Sequence, residues 1–320
     1  MPVPDSIFSG SIPENYDRYM VPLIFEPYAA DVARRAAALE PRRVLETAAG
    51  TGVVPRFLLP LLPAGSAYVA TDLSAPMLDY AASVLPDPRL RWQTADAQDL
   101  PFDDGAFDLV LCQFGAMFFP DRRRAYREAR RVLEPGGSFM FAVWDAIERN
   151  DFADEVGHAL AAMFPADPPR FMARTPHGYH DVALIEQEVR DAGFTTVTID
   201  TVTAQSVAPS ALVAATAYCQ GTPLRGEIEA RDPVGPRGGD GAGSRRDRRP
   251  FRRRRGAGAD PGARRHGLGL TRDGRTGDER RATSDERTFR LAALAQRPGG
   301  CAPPLDFPQP WESRQGLRGR

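Results

Sequence analysis

The sequence predicts a doubly wound α/β fold, a mainly parallel sheet with helices on both faces, followed by a basic tail that does not join it. Three observations lead there. Short apolar runs alternate with segments of helical period over residues 43–203, the pattern of parallel strands joined by crossover helices. One run, VLETAAGTG at 44–52, passes from a strand through a turn of small residues into a helix. Beyond residue 233 the composition changes abruptly: of the last 90 residues, 25 are Gly or Pro and only 10 are Leu, Ile, Val, Phe or Met. A charged chain so poor in large apolar residues does not bury enough surface to fold.

The elements follow in order. Ser11 and Glu14 have capping-box spacing and open a short helix carrying Tyr16 and Tyr19. Pro27 suits the first turn of a second helix to residue 39, with Tyr28, Val32, Ala36 and Leu39 on one face. Residues 43–46 are the first strand; after the small-residue turn a short helix stops at Pro60. Residues 67–72 form the second strand, 75–85 a helix and 89–94 the third strand. The apolar run at 107–112, interrupted by Asp108, reads as a buried fourth strand, with Cys112 a small core hydrophobe. A helix at 122–133 ends at the turn EPGG (134–137), and 138–144 is the fifth strand. Helices at 152–164 and 181–192, a strand at 195–203 and a helical stretch at 211–231 complete the folded part.

The formal net charge of −1 conceals two opposite segments. Residues 1–230 hold 19 Arg against 31 Asp and Glu; residues 231–320 hold 22 Arg against 11. The domain reading is 1–233 folded and 234–320 an Arg/Gly/Pro-rich, low-complexity, disordered tail. The tail admits three readings: a solvated extension, an arginine arm on nucleic acid, or out-of-frame translation of a GC-rich gene. The third is favoured, because all 41 basic residues are arginine, the change at Val234 is abrupt, and the tail is poor in the base-stacking aromatics expected of a single-strand binder. No apolar run reaches the ~18–20 residues of a membrane span. The first ten residues do not read as a secretory signal. The three cysteines have no metal-like spacing. The expectation is a soluble cytoplasmic protein without a metal, with nucleic acid a partner only through the tail.

The chemistry concentrates at the first turn. Small residues at Ala48, Gly50 and Gly52 let the backbone bend tightly and approach a ligand. Twenty residues past Gly52, at the end of the second strand, Asp72 can accept hydrogen bonds from both hydroxyls of a ribose. A nicotinamide site would show GxGxxG and hold a pyrophosphate; the AxGxG spacing here favours a ribose without one.

These stretches, with ATDLS at 70–74, Met77, TADA at 94–97, FDLVL at 107–111 and RVLEPGG at 131–137, resemble the class I S-adenosylmethionine-dependent methyltransferases over residues 10–230. They are most similar to the small-molecule enzymes related to ubiquinone and menaquinone biosynthesis. The resemblance implies a Rossmann-like fold, S-adenosylmethionine as cofactor and methyl transfer to a small molecule by in-line displacement. It places Ala48 to Gly52 around the methionine part, with Glu46 beneath the ammonium end, and Asp72 on the ribose. Leu73, Met77, Asp96 and Ala97 would surround adenine, Gln113 and Phe114 would lie beside the sulfonium, and Tyr16 and Tyr19 would close over the site. Where the family has its first glycine this chain has Ala48, tolerable if its φ is negative. Candidate bases are His177, His180 and Tyr179, with His158 and Asp145 also in reach of that role. The family's final antiparallel strand is expected to be missing, lost to the tail, leaving a bare sheet edge and a compromised enzyme. The alternatives are a non-catalytic module binding the same cofactor and an arginine-tailed nucleic-acid binder on the same fold.

Overall fold

The computed structural model describes Asp5, Phe8, residues 10–231 and the strand residues 282–283 and 287–296. The boundary read at 233/234 and most of the tail lie outside the described residues.

The chain opens with α1 (Ile12–Asn15), a π-helical stretch (Tyr16–Phe25) and α2 (Glu26–Ala37), which run on without a break. Sequence reading expected two helices divided before Pro27. Pro27 stands at the junction of the two registers, where it removes one backbone donor without ending the helical path. The wider register carries Pro22, and the Glu26 N–H closes back onto Val21 O. The expected capping box does not form: Ser11 makes no cap hydrogen bond, and its hydroxyl accepts from Arg225 at 2.9 Å.

There follow β1 (Arg43–Glu46), α3 (Val53–Leu58), β2 (Ala67–Asp72), α4 (Ala75–Val84), β3 (Leu90–Thr94) and β4 (Phe107–Gln113). Next come α5 (Arg122–Val132), β5 (Leu133–Trp144), α6 (Asp151–Met163), α7 (Phe171–Arg174) and α8 (Val182–Asp191). The remainder is β6 (Thr196–Ala204), β7 (Val207–Ala208), α9 (Ala211–Gln220), α10 (Leu224–Arg231), β8 (Ala282–Thr283) and β9 (Arg287–Gln296). The seven-stranded sheet has the order β3-β2-β1-β4-β5-β9-β6, and its first five strands are parallel. The strand order reverses between β1 and β4, and in such sheets ligands bind outside the carboxyl ends at that point. The EPGG turn is absorbed into β5, whose pairing with β4 shifts register there.

β9 corrects the expectation of a missing last strand. It runs antiparallel between β5 and β6, pairing Ser138 with Gln296, Trp144 with Phe289, and Ala204 with Arg287. The tail's average composition hides this segment: residues 287–296 contain Phe289, Leu291 and Leu294 and neither Gly nor Pro. With β5 and β6 both paired, the argument for a compromised enzyme loses its premise. Among the described residues, no helix is long and apolar enough to cross a membrane.

Candidate active site

The first turn is held by the strands beside it. Thr47 N–H donates to Leu111 O at 2.8 Å and Ala49 N–H to Thr71 O at 2.9 Å. Within it the backbone is left-handed at Ala48 (φ 53°), Gly50 (φ 55°) and Gly52 (φ 79°). The positive φ at Ala48 is the strained case, which puts Cβ against a carbonyl oxygen. Its methyl is accommodated by a second small residue: a Cβ at Gly115 would lie 2.3 Å from the Ala48 Cβ. Gly52 answers to packing, since a Cβ there would meet the Trp92 ring at 2.6 Å.

Asp72, at the carboxyl end of β2, faces this turn. One carboxylate oxygen accepts the Gly50 N–H and the other the Ser74 N–H, both at 2.8 Å. Burial raises its pKa, and the backbone donors Ser74, Gly50 and Leu73 pull it back. Around Asp72 opens a cavity of about 290 Å³. Ten of the residues named from the sequence line it: Tyr16, Ala48, Gly50, Asp72, Leu73, Met77, Asp96, Ala97, Gln113 and Phe114. The Asp96 carboxylate also closes a local turn, accepting from the Gln98 N–H at 2.8 Å. Sequence reading missed Phe8, Phe118, Phe119 and Pro120 on the same wall. The run MFFP at 117–120, just past the end of β4, was the available signal for three of them.

A recess of about 30 Å³ adjoins that cavity, sharing Tyr16, Ala48, Gly50 and Gln113 with it. Here lies Glu46, 1% exposed, whose carboxylate accepts from the Tyr68 hydroxyl at 2.7 Å. Two further oxygens of the recess, Thr51 Oγ1 and Gln113 Oε1, are buried without a hydrogen-bond partner. Three acceptors around a space of this size are the donor-seeking lining an ammonium group would satisfy. Burial pushes the Glu46 carboxyl up to about 8 against the pull of Tyr68, and Asp72 adds to the rise. In the unfolded chain it titrates near ~4.3. Stability from this group is therefore full below the unfolded value and is lost as pH rises toward 8. The ligand-free variant Glu46→Gln is expected to gain melting temperature over the wild type, the gain growing from pH 5 to pH 8, as thermal unfolding would measure. A gain independent of pH would contradict it.

An aromatic cavity of about 50 Å³ lies on the other side of Phe8, Tyr16, Phe114 and Phe118, which line both spaces. The π-helical stretch supplies Tyr16, Met20, Ile24 and Phe25. Phe114, at φ 54°, lays its ring on Trp144 at 4.0 Å and 8°, and Phe25 is tilted against both. No Arg, Asp or Glu side chain is among the described residues lining it. Tyr16 lines all three spaces and stacks on Phe25 at 5.1 Å. Its neighbour Asp17 pairs with Arg56 and accepts from the Tyr80 hydroxyl at 3.0 Å, while Arg56 reaches Thr51 O at 2.7 Å. That clip joins the covering helix to the turn.

The remaining candidates separate. His177 is buried on the aromatic cavity wall, and its Nδ1 lies 2.8 Å from Asp145 O, the geometry of an Nδ1–H donor. Tyr179 lines neither cavity: its hydroxyl donates to Glu188 at 2.7 Å, Arg122 lies over its ring at 4.1 Å, and Tyr126 is 3.2 Å away. His180 turns its Nδ1 to His177 O, and His158 is exposed on α6. Tyr19 packs against the core and under Arg18, away from the cavities. Cys112 is buried on β4, and burial pushes its thiol up to about 12.

Comparison with known proteins agrees with this architecture. A family model described as a methyltransferase domain matches residues 45–141. An uncharacterized Mycobacterium tuberculosis protein is 38% identical over 104 residues, 32% of this chain and 37% of that protein. The demethylmenaquinone methyltransferase of Thermus thermophilus is 39% identical over 121 residues, 35% of this chain and 54% of the enzyme. The chain thus spans about a third to a half of these two relatives. The ubiquinone/menaquinone biosynthesis C-methyltransferase of Ralstonia pickettii is 31% identical over 184 residues, 54% of this chain and 75% of that enzyme. A solved Bacillus halodurans structure assigned as a methyltransferase shares the fold at 16% identity and a TM-score of 0.50, over 84% of this chain and 99% of its own. The carboxyl-edge cavity, the glycine turn and these matches together place the chain among the class I S-adenosylmethionine-dependent methyltransferases, as a distant relative of the ubiquinone and menaquinone C-methyltransferases.

Proposed function

We propose that this chain transfers a methyl group from S-adenosylmethionine to a small uncharged acceptor. The observation that carries the reading is the pair of spaces meeting at Tyr16 and Phe114, one carrying Asp72 and Asp96 and placed at the strand-order reversal, the other aromatic. The residues fit the cofactor: Asp72 for the ribose, Met77 and Asp96 with Ala97 for the base, and partnerless oxygens for the amino-acid end. When bound, S-adenosylmethionine supplies a methyl group on a sulfonium, open to in-line attack.

The chain's own contribution is placement. The Asp17–Arg56 clip fixes the covering helix over the turn, and the aromatic wall excludes water from the reacting atoms. Alignment of this kind accounts for up to ~7–11 kcal/mol of a bimolecular barrier. The enclosed part of the aromatic space is smaller than the ~150 Å³ that holds a benzene, so only the reacting edge of the acceptor enters it. Among the described residues no Arg, Asp or Glu side chain lines that edge, and a protonated amine beside a sulfonium is repelled. His177, Asn150, Tyr218 and Thr222 line that space and offer polar groups to the acceptor.

The test is transfer of labelled methyl from S-adenosylmethionine into a metabolite extract, followed by kinetics on the labelled product's precursor. Incorporation into a neutral small molecule is expected. Trp144→Leu should raise the acceptor KM about tenfold while S-adenosylhomocysteine affinity stays within about twofold. A folded chain that binds the cofactor but labels nothing would overturn the enzymatic reading in favour of a cofactor-binding module.

A further inference from the structure

One backbone carbonyl orients two side chains on the wall of the aromatic cavity. Asp145 O, the first carbonyl past β5, lies 2.8 Å from His177 Nδ1 and accepts from Asn150 Nδ2 at 3.3 Å. Both residues are buried, and both line the cavity. The Asn150 amide nitrogen also donates to Ala146 O at 3.0 Å. With both its N–H groups on carbonyl oxygens the amide has one orientation, since a flipped amide would set oxygen against oxygen twice. The Oδ1 end is therefore turned away from residues 145 and 146.

That oxygen is also withheld from its ordinary use. Asn150 is the N-cap of α6, whose first turn opens with the Asp154 N–H donating to Asn150 O at 3.0 Å. An asparagine at this position usually caps the helix by accepting a first-turn N–H on its side-chain oxygen. Asn150 makes no such bond. Among the described residues its Oδ1 accepts from no donor, although Asn150 is only 2% exposed. A buried acceptor in this state is costly unless a partner arrives, and the aromatic cavity is the space from which one can come.

We propose that Asn150 is a specificity-determining residue: its Oδ1 selects acceptors that carry a neutral hydrogen-bond donor, above all a hydroxyl, on the edge that enters the aromatic cavity. The inference rests on the methyl-transfer reading above and narrows its acceptor. A carbonyl or methoxy group on that edge would leave Oδ1 unsatisfied and bring a second oxygen against it. The location suits the role. Asp145 directly follows Trp144, which stacks on Phe114, and Phe114 lines the 290 Å³ cavity as well. The selecting oxygen thus hangs from the segment that continues the wall between the two spaces. The Asp145 carbonyl is the positioning group, because Asn150 cannot turn without giving up its bonds to both carbonyls.

The experiment is a fluorine NMR titration of the full chain, loaded with S-adenosylhomocysteine, using para-fluorophenol and para-fluorotoluene. The second probe has nearly the same outline and no donor. A cavity without an acceptor favours the methyl compound, because a hydroxyl costs more to take out of water. The wild type is expected to bind para-fluorophenol at least as tightly as para-fluorotoluene. Asn150→Ala should weaken para-fluorophenol about fivefold, the effect of one neutral hydrogen bond, and leave para-fluorotoluene within about twofold. Tighter binding of para-fluorotoluene by the wild type overturns the proposal. So does equal weakening of both probes in the variant, the result expected of a purely structural asparagine. If the variant does not fold, the Asn150 side-chain amide resonances of the wild type decide: they should shift with para-fluorophenol and not with para-fluorotoluene. An equal response to both, or to neither, overturns the selection. Failure of S-adenosylhomocysteine to bind a folded chain removes the cofactor reading, while the two probes on the unloaded chain still read Asn150.

Discussion

Asp72→Asn is expected to weaken S-adenosylhomocysteine binding by about 100-fold or more. Two effects combine. In the proposed cofactor reading the carboxylate accepts from a ribose diol, and hydrogen bonds to a charged group contribute roughly 1.5–3 kcal/mol each. It also holds the turn, with one oxygen on the Gly50 N–H and the other on the Ser74 N–H. Asparagine has a single carbonyl oxygen, so its amide group would confront one of those N–H donors. The turn then loses an anchor at the point where the backbone is left-handed. Titration calorimetry checks the affinity and thermal unfolding the anchor. Affinity within threefold of the wild type would remove Asp72 from the ribose site.

The second large effect is steric and reciprocal. Gly115→Ala is expected to destabilise the chain by roughly 1–3 kcal/mol, the usual range for overpacking. The added methyl would meet the Ala48 Cβ at 2.3 Å and the Cys112 Sγ at 2.9 Å. Ala48→Gly removes the nearer obstacle and the left-handed strain with it, so the double variant should recover most of the loss. The coupling read from a double-mutant cycle by chemical denaturation is expected at ~1–2 kcal/mol. Additive effects would show that the two methyl positions do not share one space. The pair also explains how an alanine stands where the family carries glycine: the required space is supplied across the sheet by Gly115.

The parts of the site that could be read from the sequence are those fixed by local pattern. β1, β2 and β4 each centre on a short apolar segment that ends in a polar residue, so Glu46, Asp72 and Gln113 at their carboxyl ends follow from counting residues. What could not be read depends on distant packing. Ala48 adopts a positive φ because Gly115 makes room, and nothing near residue 48 says so. Tyr179 looks like a candidate base until Glu188, Arg122 and Tyr126 are seen around it. The aromatic cavity draws Phe8, Trp144 and Phe171 from three separate regions. The unbroken helix through Pro22 and Pro27 rests on a change of hydrogen-bond register that composition does not show. β9 was hidden by averaging ten residues with eighty others.

Phe114 sets a conflict between durability and performance at one position. A bulky residue held at φ 54° carries a conformational penalty of roughly 1–2 kcal/mol, retained here where its ring makes the partition between two compartments. Glycine would relax the backbone and dissolve the partition. Selection for heat resistance alone would therefore favour a smaller residue here, and selection for turnover would restore the phenyl ring. Residue 114 is accordingly where a laboratory evolution experiment should find the two goals pulling apart.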